Sequence, residues 1–84
     1  MDTTALDKIL KELKASKQIT AWPDHAVAQA GLVANAADFL LNASFRYKYN
    51  RKTGEARDEQ IETMKRHALQ TAVMSIRFLE NIDQ

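Results

Sequence analysis

The chain has no cysteine, one proline and two glycines in 84 residues. Without cysteine there is no disulfide and no thiolate metal site. The two histidines, His25 and His67, lie far apart in sequence and make no zinc motif. Acid is also scarce where it would matter most. Between His25 and Gly54 the only carboxylate is Asp38. No long apolar run is present either, because His25, Gln29, Asn35, Asp38 and Asn42 interrupt the most hydrophobic stretch, which excludes an ordinary membrane span. The start, Met-Asp-Thr-Thr before an amphipathic segment, lacks the basic and apolar regions of a secretory signal, so a soluble cytoplasmic protein is expected. A net charge of +1 argues against a chain that coats nucleic acid.

What is present reads as one small all-α domain spanning residues 1–84, with three helices. Leu6, Ile9, Leu10 and Leu13 recur at helical spacing, with Lys8, Lys11, Glu12 and Lys14 opposite, which predicts a first helix over about 3–16. Thr4 with Asp7 suggests a shortened capping box. Pro23 suits the first turn of a second helix over about 23–49. Asn50-Arg51-Lys52-Thr53-Gly54 reads as a turn, and a third helix follows over about 56–81. At 100° per residue, Ala26, Ala30, Val33, Ala37, Leu40, Leu41 and Ser44 form an apolar, small-residue side of the second helix. Ile61, Met64, Ala68, Ala72, Ser75, Ile76 and Leu79 form the expected core side of the third. Arg77 and Glu80 fall on its wet side, and His67, Thr71, Met74 and Phe78 make a further, mostly apolar stripe. A chain of this size buries little surface alone, so these faces predict a homo-oligomer with a helix-bundle core.

The segment Trp22-Pro23-Asp24-His25-Ala26-Val27-Ala28-Gln29-Ala30-Gly31-Leu32-Val33-Ala34-Asn35-Ala36-Ala37-Asp38-Phe39-Leu40-Leu41, taken with His67-Ala68-Leu69-Gln70-Thr71-Ala72-Val73-Met74-Ser75-Ile76-Arg77-Phe78-Leu79-Glu80-Asn81, resembles the small phage and bacterial MazG-like proteins. Those are all-α nucleoside triphosphate pyrophosphohydrolases. The resemblance covers about residues 19–82. It implies Mg²⁺ held by a Glu-Glu-x-x-Glu cluster on one helix and a Glu-x-x-Asp pair, or a variant of it, on the next. Here the first cluster falls on Asn35, Ala36 and Phe39 and the second near His67 and Gln70. Asn lends one neutral carbonyl, whereas Ala36 and Phe39 lend nothing, so no metal, no cofactor and no catalysis are expected.

The resemblance, with its metal-binding acids lost, implies a nucleotide or nucleotide-derived signal as the partner, bound and held rather than cleaved; in a phage relative, this would be sequestration of a defence signal. A pocket is expected between the long helices near Asn35, Asp38, His67 and Gln70, where neutral polar groups and an imidazole would face phosphates. The run Arg46-Tyr47-Lys48-Tyr49-Asn50-Arg51-Lys52 has four cations and two aromatics, which suits phosphate gripping and base stacking. Cations at a helix C-terminus also offset its dipole, which is the plainer account of the same run. Trp22 reads either as a hydrophobic staple or as one wall of a base pocket. His25 and Gln29 read as inward-facing, bonding across the bundle or reading a polar ligand. Asn42 continues the polar stripe of Asn35 and Asp38. The alternatives are a helical protein–protein module acting on a host protein, and a divergent active pyrophosphohydrolase.

Overall fold

The computed structural model describes residues 3–19 and 21–82. Among them the chain is all helical: α1 is Thr3–Ile19, α2 is Ala26–Tyr49 and α3 is Gly54–Asn81. α2 and α3 form an antiparallel hairpin, and α1 packs on α3 alone. α3 is therefore the central helix, with a neighbour on each of two sides. The result is elongated, 46 × 28 × 23 Å.

α1 runs one turn further than its apolar stripe predicts. Nothing in Ser16-Lys17-Gln18-Ile19 breaks a helix, and α3 holds this end: Arg77 Nη1 donates to Ser16 O (3.2 Å) and Ser16 Oγ (2.9 Å), and Lys17 pairs with Glu80 at 2.8 Å. The Ser16 carbonyl belongs to the last turn of α1, the negative end of the helix dipole, where a cation is favoured. Thr3 is already helical, so Thr4 is not the N-cap that the capping-box reading required. Thr20, the end of the expected connector, lies outside the described residues.

α2 starts later than predicted. Pro23 stays in the preceding loop, and His25 is the N-cap, its Nδ1 accepting from the Ala28 N–H at 3.3 Å. An imidazole nitrogen here does the work usually given to Ser, Thr, Asp or Asn. At the other end the Asn50 N–H closes on Arg46 O at 2.8 Å. α3 starts two residues early, at Gly54, whose φ of +60° is a left-handed conformation costly to any residue with a Cβ.

The core is thin. Leu13 from α1, Ala36 and Ala43 from α2 and Val73 from α3 are its buried apolar residues, and Val73 is 1% exposed. The α2 line that meets α3 runs through Gln29, Ala36 and Ala43, about 90° from the small-residue side predicted as core. Ala30, Ala37 and Leu41 are exposed. On α3, Ala68 and Leu79 are exposed and Arg77 is 4% exposed, the reverse of the expected sides. The cause is the second neighbour. With α1 and α2 at different angles, the most buried line of α3 falls through Val73 and Arg77.

Candidate functional site

The polar groups expected to share one pocket occupy separate positions. Asn35, Asp38 and Asn42 lie exposed along α2, with Asn42 Nδ2 donating to Asp38 Oδ2 at 3.5 Å. Gln70 is exposed on α3. His67 is half-buried because the Phe39 ring stacks on it, centroids 5.5 Å apart and planes 18° from parallel. Phe39 thus covers one face of the His67 ring, and Ala36, one turn earlier on α2, is buried. Two of the residues standing at the expected metal positions serve the α2–α3 packing. Among the described residues no group of three or more His, Cys, Asp or Glu side chains is placed to hold a metal ion.

The remaining expected ligand residues divide by role. His25 is exposed and caps α2, so it does not face inward. Gln29 does face inward, at 3% exposed, and its Oε1 has no hydrogen-bond partner. Trp22 is half-buried beneath Arg77, whose guanidinium carbon lies 4.6 Å from the indole centroid. It staples the loop before α2 to the end of α3. The indole Nε1 is buried without a partner.

The basic run splits in two. Arg51 lies over the Tyr47 ring at 4.5 Å and Lys48 over Tyr49 at 5.0 Å, while Phe45 stacks on Tyr49. These tyrosines face cations of their own chain, a contribution of about 0.5–1 kcal/mol each where exposed. Arg46 and Lys52 instead border a cleft of about 280 Å³ between the end of α2 and the start of α3, together with Glu59, Gln60 and Thr63. Gln60 shapes it. Its Oε1 accepts from the Lys52 N–H (3.0 Å) and its Nε2 donates to Asn50 O (3.1 Å), which fixes the turn that carries Lys52. Sequence reasoning passed over Gln60; a glutamine six residues after a turn glycine carries no local signal of this contact.

A second cleft of about 700 Å³ runs between α1 and α3. Ala5, Ile9, Leu69 and Ala72 contribute its apolar lining, and Lys8, Glu62, Lys65 and Arg66 its charged lining. Asn35, Asp38, His67 and Gln70 line neither cleft. No described helix is long and apolar enough to cross a membrane. No family model, curated protein or solved structure matches the chain. The MazG-like resemblance therefore rests on the sequence segments quoted above.

Proposed function

We propose that this chain is a non-catalytic binding protein on a MazG-like helical frame, holding the phosphate end of a nucleotide or nucleotide-derived molecule at the α2–α3 turn. The observation that supports it best is the Arg46–Lys52 cleft. Two cations and two neutral polar side chains, Gln60 and Thr63, border one concavity, with a single carboxylate, Glu59. Arg presents a planar fork suited to phosphate, and each charge-assisted bond contributes about 1.5–3 kcal/mol. In a phage setting, sequestering a host defence signal is the use such a protein would have.

Mass spectrometry of ligand retained through purification tests this reading directly. Arg46→Ala should weaken binding of the retained nucleotide about tenfold or more, with helix content unchanged because Arg46 is exposed. Unchanged affinity would remove the cleft from consideration. Pyrophosphate release from nucleoside triphosphates with Mg²⁺ or Mn²⁺, abolished by Asp38→Asn, would instead establish the active-enzyme reading.

A protein–protein module is the second reading. It is favoured by the exposed Val27, Leu41, Phe45, Tyr49 and Leu79, more large apolar side chains than so small a chain needs to leave in water.

A further inference from the structure

The side of α2 opposite α3 is apolar over most of its length. Val27 (80% exposed), Leu41 (54%) and Phe45 (50%) lie along it with Ala30, Gly31 and Ala34. From Val27 to Phe45 the only charge is Asp38. α1 does not reach this side. The chain exposes 6232 Å², about 1,200 Å² more than a compact chain of its 9.5 kDa should. A stable protein–protein interface takes roughly 800 Å² from each partner.

Gly31 supplies an independent observation. It sits mid-helix, where glycine costs about 1 kcal/mol relative to alanine. A Cβ built there meets nothing within 4 Å, so the fold of one chain gives no reason for it. A glycine on an open helix face permits close approach of another backbone.

We infer that this face pairs with α2 of a second copy of the chain, antiparallel, about a two-fold axis level with Ala36. The size pattern selects this arrangement. Bulky residues, Leu41 and Phe45, lie in the C-terminal half of the face, and the small ones, Ala30, Gly31 and Ala34, in the N-terminal half. With Ala36 level with its own copy, Leu41 stands across from Gly31 of the second copy and Phe45 across from Val27. Asp38 then faces Ala34, and Lys48 reaches Asp24 ahead of the partner helix. A parallel pair would set Phe45 on Phe45, leave a gap at Gly31 and oppose the two Asp38 carboxylates. An antiparallel pair shifted so that Gly31 meets Phe45 also brings Asp38 against Asp38. Of these three arrangements, only the register about Ala36 fills the small residues and separates the acids. A C2 interface needs such self-complementarity. The inference is independent of whether the Arg46–Lys52 cleft takes a phosphate.

The absence of cysteine makes the test clean. Gly31→Cys and Leu41→Cys, both at exposed positions, are mixed under mild oxidation. The mixture should form a mixed disulfide at least tenfold faster than either variant alone, and Val27→Cys with Phe45→Cys should do the same. In the reduced protein the Leu41→Cys thiol should react with a soluble alkylating reagent at least tenfold more slowly than Leu79→Cys. Rapid disulfide formation by Leu41→Cys alone would show parallel pairing and overturn the inference. So would the lack of a mixed disulfide in both pairs, or equal labelling of the Leu41 and Leu79 positions.

Discussion

Replacing Arg77 by Ala removes a side chain that joins α1, the loop before α2 and α3. Its guanidinium is held by Ser16 O and Oγ on α1, lies on Trp22 in the loop before α2, and belongs to α3. The two bonds to Ser16 share one donor nitrogen and are counted together as about 2 kcal/mol, a charged donor to neutral acceptors. The stack on a half-buried indole adds about 1 kcal/mol. The expected loss is about 3 kcal/mol, against a total of roughly 4–13 kcal/mol for a chain this long. In a thermal melt followed by helical circular dichroism that is a drop of about 12–24 °C. Arg77→Lys keeps the charge but loses the planar stack, so it should fall between the wild type and Arg77→Ala. Leu79→Ala, two residues on and 72% exposed, is the control and should cost no more than about 0.5 kcal/mol. Equal melting of Arg77→Ala and Leu79→Ala would refute the reasoning. It would mean that α1 and the Trp22 loop dock without the guanidinium.

Val73→Ala, at the most buried apolar position, should cost about 2 kcal/mol by chemical denaturation, from lost transfer energy plus the cavity left behind. Gly54→Ala should cost about 1–2 kcal/mol in the same assay, since the left-handed φ suits glycine alone. Gln29→Met should be neutral or stabilising by about 1 kcal/mol, because it removes a buried amide oxygen with no partner; a clear destabilisation would reveal a partner for that oxygen. Gln60→Ala should speed amide exchange at Lys52, whose N–H it holds, and leave exchange at Val73 unchanged.

Three helices and their order were legible because each has a strong periodic stripe or a clear punctuation mark, the turn at Asn50–Gly54 being the plainest. The faces were less so. α2 is so rich in alanine that its apolar arc is wide, and periodicity cannot say which part of a wide arc meets α3; Gln29, at the N-terminal end of the packed line, points the wrong way on any hydropathy scale. Arg77 was assigned to water for the same reason. Only the geometry shows its guanidinium over the Trp22 ring, 4.6 Å from the ring centre, with Ser16 at its tip. At the candidate site, the basic run was visible as composition, but its division into tyrosine-bound cations and cleft-bordering ones depends on side-chain direction at the helix end. The expected polar pocket rested on four residues whose common location came from the resemblance. Phe39, which lends no ligand atom at an expected metal position, stacks on His67.

The central structural claim is that α2 has a functional outer face, and it is tested most directly by the mass of the native chain in solution beside that of Leu41→Glu. Sedimentation equilibrium at micromolar concentration should give twice the 9.5 kDa of one chain for the native protein. The exposed substitution should return a single-chain mass with the helical spectrum intact. A single-chain mass for the native protein, or an unchanged dimer in Leu41→Glu, would contradict the account.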